Sequence, residues 1–273
     1  MRAMNALRLV ALLFLVAGGG AGARDWEPVV AGVEYRQILR NGIDAHVVRV
    51  DLRVKSLAVV ATAARERGLT VSEFARHRGA MVAINGDYFD TALNPLGLAM
   101  GDGEAWAQAD ERVRHEEVVG VGIRRVRIFP RAGPLHEPKR WMTGAVSGWP
   151  MVVDGCKPVA RLPGSDHFTH APHPRTAVGL SADRRRLLLV VADGRRADVP
   201  GLTLPELAVL MVEVGACTAL NLDGGGSSAL WLRDRIVNRP SDGAERKVAN
   251  HLGVVAADGS AGANGDAGEA TAK

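Results

Sequence analysis

Apolar and polar residues alternate along much of the chain, which places every second side chain on one face of a sheet. This alternation predicts strands at Ala45–Leu52, Val118–Phe129 and Thr176–Leu180. A continuous apolar run, Arg186–Ala192, ends at the turn signal Asp193-Gly194 and predicts a further, buried strand.

Helical patterns are confined to two segments, Thr70–Arg78 and Thr203–Gly215. Each segment begins with Thr and has Glu three residues later, the arrangement of a capping box. Many strands and few helices predict an α+β fold made mainly of antiparallel sheets.

The two helical segments open an internal repeat. The first copy runs T-V-S-E-F-A and then G-A-M-V-A-I-N to Asn85; the second runs T-L-P-E-L-A and then G-A-C-T-A-L-N to Asn221. A chance alignment of two common helix–strand units is the alternative. The repeat predicts two similar helix–strand half-units packed around a shared cleft, with Asn85 and Asn221 ending equivalent strands.

The two ends of the chain depart from this pattern. Two arginines, a short apolar run and an A-x-A site ending at Ala23 predict a signal peptide over residues 1–23, an uncleaved anchor being the alternative. Ala, Gly and Asp dominate residues 256–273, which predicts a disordered tail. We therefore expect one domain over residues 24–255, secreted or periplasmic, without stable membrane insertion after signal removal.

Composition and charge narrow the classes of function. The chain has 273 residues, 47% of them hydrophobic and 23% charged, as in ordinary globular proteins. Its formal charge of +4 comes from arginines scattered among acids, which gives no support for nucleic-acid binding. Cys156 and Cys217 are too few for a disulfide framework. We expect Cys217 to be a buried small hydrophobe, and the sequence leaves open whether the two cysteines pair.

The segment N-L-D-G-G-G-S-S (Asn221–Ser228) interrupts an apolar strand with polar residues and glycines. Glycines allow a ligand to approach the main chain, and successive N–H groups can form an anion-binding nest. A sharp exposed connection is the alternative. The candidate substrate-binding residues here are Asn221, Gly224, Gly225, Gly226 and Ser227.

Three other segments carry candidate site residues. N-G-D-Y-F-D supplies Asn85 and Gly86, unless it is merely a turn. H-P-R-T-A-V-G starts a strand with Arg175, whose guanidinium suits two phosphate oxygens. A lone surface arginine is the alternative. A-D-G-R places Asp193 at the end of a buried strand.

Metal sites are weakly supported. His167, His170 and His173 lie in a proline-containing loop without a nearby cysteine, which favours solvated histidines over zinc ligands. We expect no metal or other cofactor. Calcium is the alternative, because hard cations take carboxylate and amide oxygens. Its candidate ligands are Asn85, Asp87, Asn221 and Asp223.

Four segments together carry a resemblance to a known family: V-S-G-W-P-M-V-V-D-G (Val146–Gly155), R-T-A-V-G, A-D-G-R and N-L-D-G-G-G-S-S. The chain resembles the phosphodiester glycosidase family. The resemblance implies a hydrolase that cleaves the glycosyl C1–O bond of a sugar phosphodiester or a phosphate-bearing polysaccharide. Animal members have glycine where Asp87 stands, which argues against a catalytic role for Asp87.

The resemblance also implies roles for the residues. Asp223 would act at the anomeric carbon, and Arg175 with the Gly224–Ser227 loop would hold the phosphate. Asp193 would be a second carboxylate or would orient Arg175, and Asn85 and Asn221 would bind sugar hydroxyls. The alternatives are a non-catalytic envelope polysaccharide-binding module and a metal-dependent phosphodiesterase that cuts the P–O bond.

Overall fold

The computed structural model describes residues 25–107, 117–130 and 138–257. The signal peptide predicted over residues 1–23 lies outside this part, as do residues 258–273 of the predicted tail. All strand pairs within the described residues are antiparallel, which confirms the predicted α+β fold with mainly antiparallel sheets. No helix in these residues is long and apolar enough to cross a membrane.

The described helices are α1 (Val71–Arg78), α2 (Asp166–His170) and α3 (Leu204–Glu213). The strands are β1 (Glu27–Val30), β2 (Val33–Arg40), β3 (Ile43–Asp51), β4 (Leu57–Ala61), β5 (Val82–Asn85), β6 (Ala99–Gly101), β7 (Glu104–Ala107), β8 (Glu117–Gly122), β9 (Arg125–Phe129), β10 (Gly144–Gly148), β11 (Met151–Asp154), β12 (Lys157–Pro158), β13 (Arg175–Leu180), β14 (Arg186–Ala192), β15 (Thr218–Asn221), β16 (Leu230–Leu232), β17 (Arg235–Ile236) and β18 (His251–Ala256).

The predicted buried strand coincides with β14, and the other strand predictions need small corrections. Val118–Phe129 is a hairpin of β8 and β9 rather than one strand, with Arg124 in a left-handed turn at φ 50°. Strand β18 extends to Ala256, the first residue of the predicted tail, where it pairs with Leu57 of β4.

An eight-stranded sheet, in the order β1-β2-β3-β14-β13-β15-β11-β12, carries α3 on its outer face. In β14, Leu188 and Val190 pack in the same cluster as Leu207 of α3, whereas Leu187 and Leu189 face the central core. Each fully buried side chain of this size contributes about 1.5–3 kcal/mol. Burial on both faces explains why β14 reads as a continuous apolar run.

A five-stranded sheet, in the order β17-β16-β5-β18-β4, supplies the other side of the central core. Ile84 of β5 belongs to that core, whereas Ala83 packs outward with Phe74 of α1. The layers are therefore α3, the eight-stranded sheet, the five-stranded sheet and α1. A third sheet, β7-β6-β10-β8-β9, completes the described fold.

The internal repeat corresponds to α1–β5 and α3–β15. Both helices begin at a formed capping box, at Thr70 and at Thr203. Both strands have four residues, lie between two antiparallel neighbours and end in asparagine. The Asn85 side-chain amide donates to the Asp223 carbonyl at 2.7 Å, so the strand ends meet at one place. The two predicted half-units do pack around a shared cleft.

Cys156 and Cys217 form a disulfide, which answers the question that the sequence left open. The bond joins the β11–β12 turn to the segment that leads into β15. Cys217 is half-buried, so the prediction of a buried small hydrophobe was wrong.

Removing this disulfide should destabilise the protein, because the bond constrains the unfolded chain across a sequence separation of 61 residues. We expect a Cys156→Ser/Cys217→Ser variant to lose about 2–4 kcal/mol of unfolding free energy. Urea denaturation at pH 7, with and without reductant, measures this. A variant as stable as the oxidised wild type would contradict the expectation.

Candidate active site

A cleft of about 240 Å³ opens where β13 begins and β15 ends. Arg175 is the first residue of β13, Asp223 follows β15, and Tyr88 follows β5. Both half-units therefore contribute side chains. The lining residues are Tyr88, Phe168, His173, Pro174, Arg175, Arg195, Asp223, Gly224, Gly225, Gly226 and Arg246.

Asp223 is the one carboxylate among the described residues that line this cleft. Burial raises the pKa of Asp223 to about 6, although the Ser227 hydroxyl, the Gly224 N–H and two arginines oppose this shift. The Gly224 N–H donates to Asp223 Oδ1 at 2.9 Å. A carboxyl group that titrates near neutral pH suits proton transfer.

Arg175 also lines the cleft, but the protein itself fixes its guanidinium. Nε donates to the Leu202 carbonyl at 2.9 Å, and Nη2 donates to the carbonyls of Phe168 and Ala171 at 3.1 Å each. No described carboxylate lies within 4.0 Å of the guanidinium. Because its charge has no acidic partner in this part of the chain, Arg175 is preorganised to meet an anion.

Arg195 and Arg246, for which the sequence analysis predicts no role, also line the cleft and form a cationic wall together with Arg175. Arg195 lies against the glycine loop, with Nη2 2.8 Å from the point where a Cβ on Gly225 would stand. Arg246 pairs with Asp242 at 2.5 Å and would lie 2.3 Å from a Cβ on Gly226. Larger residues at these glycines would displace both guanidinium groups.

The Gly224, Gly225 and Ser227 N–H groups do not form the predicted anion nest, because each donates to an acceptor within the protein. The Gly224 N–H is used by Asp223 Oδ1, and the Gly225 N–H donates to the Pro174 carbonyl at 2.9 Å. Ser227 N–H donates to the Gly224 carbonyl at 3.2 Å. These glycines are required for close packing: a Cβ on Gly224 would lie 2.7 Å from the Pro174 oxygen.

Asn85 and Asn221, predicted to bind sugar hydroxyls, are both fully buried. Asn85 donates to the Asp223 carbonyl, and its Oδ1 accepts from the Thr176 hydroxyl at 2.8 Å. Asn221 donates to the Tyr88 hydroxyl at 2.7 Å. Both predictions are corrected: the asparagines hold cleft residues in place and do not face the cleft.

Gly86 is likewise a packing residue rather than a ligand contact. Its N–H donates to the Asn250 carbonyl at 2.9 Å, and its carbonyl accepts from the Asp223 N–H at 3.0 Å. A Cβ at this position would lie 2.3 Å from Asn250 Oδ1. The neighbouring Asp87 is buried, accepts from the Ser147 N–H at 2.5 Å and does not line the cleft. Burial raises the pKa of Asp87 well above its ordinary value.

The histidine loop divides into two kinds of residue. His167 and His170 are exposed on α2, as expected of solvated histidines. His173 is half-buried in the cleft wall, where burial and the nearby Arg175 and Arg195 lower its pKa. Its imidazole is therefore neutral near pH 7.

Asp193 lies outside the cleft lining, so the structure does not support its predicted catalytic role. Its buried carboxylate accepts from Arg196 Nη1 at 2.9 Å and from the Arg239 N–H at 3.0 Å. It also accepts from Asn238 Nδ2 at 3.1 Å, and the same amide donates to the Ser228 carbonyl. None of these contacts orients Arg175.

These contacts make Asp193 a junction of three cleft-forming segments. The turn after β14 carries Arg195, the glycine loop ends at Ser228, and the segment that starts at Arg239 leads to Arg246. The buried Asp193 carboxylate bonds directly to Arg196 and to the Arg239 N–H, and it is linked to the glycine loop through Asn238. Asp193 is accordingly a positioning residue.

A comparison with known families fits this geometry. The profile of a family described as phosphodiester glycosidase matches residues 78–255, which is more than half of the chain. The chain belongs to the phosphodiester glycosidase family.

Among curated relatives, the bovine N-acetylglucosamine-1-phosphodiester alpha-N-acetylglucosaminidase is 25% identical over 193 residues, covering 66% of this chain and 36% of the bovine protein. The chain spans less than half the length of the curated relatives it matches.

Two solved structures share the fold. The catalytic domain of the zebrafish N-acetylglucosamine-1-phosphodiester alpha-N-acetylglucosaminidase has a TM-score of 0.64 at 23% identity, covering 82% of each chain. A hypothetical protein from Synechocystis has a TM-score of 0.69 at 15% identity, covering 86% of this chain and 64% of the other. At these identities the likeness concerns the fold alone.

The role of Asp193 predicts a loss of stability together with a loss of phosphate affinity. Asp193→Asn should lower the unfolding free energy by about 3 kcal/mol, because it breaks a buried ion pair. It should also weaken binding of inorganic phosphate in the cleft about tenfold, through displacement of Arg195 and Arg246. Urea denaturation and isothermal titration calorimetry measure the two effects.

Asp198→Asn is the matched control, because Asp198 also contacts Arg196 but its side chain is 72% exposed. We expect it to change stability by less than about 1 kcal/mol. A stable Asp193→Asn protein with normal phosphate affinity and reduced turnover would instead show that Asp193 acts on the substrate.

The raised pKa of Asp223 predicts a pH-dependent effect on stability that does not depend on any assay of activity. The pKa of this aspartate is about 3.9 in the unfolded chain and about 6 in the folded protein. Between these two pH values the folded state therefore binds more protons than the unfolded state. The contribution of Asp223 to stability should therefore fall as pH rises from about 4 to 6.

Asp223→Asn has no charge to bury, so its stability gain over wild type should be small at pH 4 and larger at pH 8. Urea denaturation at both values measures this, with the exposed Asp234→Asn as the control. A gain that is larger at pH 4 would contradict the assignment.

Proposed function

We propose that this protein is a hydrolase that cleaves the C1–O bond of a glycosyl phosphodiester and releases sugar and phosphomonoester. The observation that carries the proposal is a carboxyl group with a pKa of about 6, Asp223, in a cleft with three arginines. Membership of the phosphodiester glycosidase family supports the reaction class.

The leaving group explains why one carboxylate suffices. A phosphomonoester has a second pKa near about 6, so it departs without a strong general acid. Ordinary glycosidases use a second carboxyl group to protonate a poorer leaving group. Here Arg175, Arg195 and Arg246 would stabilise the charge that develops on the phosphate oxygens as the bond breaks.

Asp223 would act in its ionised form at the anomeric carbon. The C1–O bond breaks with its electron pair going to the phosphate, while the oxygen of water bonds to C1. The proton of that water would pass to the Asp223 carboxylate, which also faces the positive charge that develops on the sugar ring. Burial disfavours this ionised state, which makes the carboxylate a stronger base than an exposed aspartate.

The proposal includes a location outside the cytoplasm. The predicted signal peptide over residues 1–23 supports export, and the Cys156–Cys217 disulfide suits an oxidising compartment. The expected substrate is therefore a phosphate-bearing glycan of the cell envelope or its surroundings.

Products formed in ¹⁸O-labelled water test the proposed reaction. N-acetylglucosamine 1-phosphodiesters are the first substrates to try, because the bovine relative is named for them. Cleavage at C1–O places the label in the free sugar. Label in the phosphate would identify a phosphodiesterase that cuts P–O, and binding without products would identify a glycan-binding module.

Substitutions in the cleft should separate chemistry from phosphate binding. Asp223→Asn should lower kcat by about a thousandfold with little change in KM, because its charge is needed mainly in the transition state. Arg195→Gln should raise KM and lower kcat together, by about 10–100-fold in kcat/KM.

Steady-state kinetics measure both effects, and the loss at Arg195 should be larger for substrates with poorer leaving groups. Arg185→Gln, an exposed arginine at the other end of β14, is the control for lost charge. Near-normal kcat in a folded Asp223→Asn protein would remove Asp223 from the mechanism.

A further inference from the structure

A second cavity, of about 230 Å³, lies at the end of β13 and β15 opposite the cleft. Arg175 and Leu180 stand at the two ends of β13, five residues or about 17 Å apart. The cavity is lined by Arg127, Ile128, Phe129, Leu180, Arg184 and Thr218. It shares no lining residue with the cleft.

Two guanidinium groups reach this cavity from different hairpins. Arg127 lies in β9, and Arg184 occupies the β13–β14 turn in a left-handed conformation at φ 57°. No described carboxylate lies within 4.0 Å of either guanidinium. Burial lowers the pKa of Arg127, and the charges of Arg125 and Arg184 lower it further.

This arrangement differs from that of arginines with a structural role. Arg78, for example, is paired with Glu66 and Asp102. Arg127 is half-buried and Arg184 is exposed. Their two positive charges repel each other, and an anion bound between them would relieve that repulsion. The charge at this cavity therefore favours an oxyanion from outside the chain.

The other residues that line the cavity indicate which kind of molecule would carry the anion. Thr218 carries a hydroxyl, and the apolar lining residues are Ile128 and Leu180, which belong to the central core, and Phe129, which packs against the third sheet. Phe129 is also stacked on Trp141, with ring centroids 6.3 Å apart, so its ring is held in place. Cations for phosphate oxygens beside an apolar and aromatic wall for a sugar ring match a sugar phosphate.

We propose that this cavity is a second, non-catalytic site that binds a phosphate-bearing saccharide, with Arg127 and Arg184 holding the phosphate and Phe129 contacting the sugar. The cavity contains no described carboxylate, so it cannot repeat the chemistry assigned to Asp223.

Nuclear magnetic resonance titration of the full chain tests this site directly. Glucose 1-phosphate and inorganic phosphate are the probes, and the Arg Nε–Hε signals of Arg127 and Arg184 are the readout. We expect saturable shifts at both arginines and tighter binding of glucose 1-phosphate than of phosphate. The amide signal of Gly226 reports the catalytic cleft separately.

Arg127→Gln and Arg184→Gln should each weaken glucose 1-phosphate binding at this site about tenfold, as expected for loss of a charge-assisted contact. Arg185→Gln removes the same charge from the same turn but does not line the cavity, so its affinity should stay near wild type.

Three outcomes would overturn the proposal. They are the absence of saturable shifts in the wild type, equal affinity for the two probes, and an Arg185→Gln variant weakened as much as Arg184→Gln. The readout is binding at Arg127 and Arg184, so a failure to detect C1–O cleavage at Asp223 would not contradict this proposal. A failure to detect binding at this cavity would likewise not contradict the proposed C1–O cleavage.

Discussion

The hydrogen bond from the Asn85 amide to the Asp223 carbonyl joins the two half-units at the point where the cleft forms. The Asp223 N–H returns a bond to the Gly86 carbonyl, so the main chain of Asp223 is held on both sides. Leaving either buried partner unsatisfied costs about 1–3 kcal/mol. The position of the Asp223 main chain, and of the loop that follows it, therefore depends on the neighbouring sheet as well as on the strand that carries Asp223.

Charge in the cleft is organised around this fixed carboxylate. Burial raises the pKa of Asp223 even though Arg195 and Arg246 lower it, which shows that desolvation outweighs attraction there. Arg175 is bound to carbonyl oxygens, and Asp193 anchors the segments that carry the other two arginines. Since hydrogen bonds hold the Arg175 guanidinium before any ligand arrives, little reorganisation of this group would be needed for an anion to bind.

The sequence predicts elements of this protein better than it predicts the roles of polar residues. Because β14 is buried on both faces, its sequence is a continuous apolar run, which predicts a strand. The internal repeat correctly predicts where β5 and β15 end. Asn85 and Asn221 were nevertheless assigned to substrate, because a polar residue at a strand end indicates a polar partner without identifying it. Asp193 shows the same limit: its partners Asn238 and Arg239 are 45 and 46 residues away along the chain, and only the tertiary structure brings them together.

Some arginines of this protein pair with a carboxylate and others do not, a difference that the sequence alone does not show. Arg78 and Arg196 pair with buried acids, so their charges are neutralised inside the fold. Arg175 and Arg184 have no such partner among the described residues and lie at opposite ends of the β13 region. Arg175 is buried, so its unpaired charge costs stability unless a ligand binds it, whereas Arg184 is exposed and carries little such cost. The lack of a carboxylate partner among the described residues is therefore the feature that the cleft shares with the proposed second site.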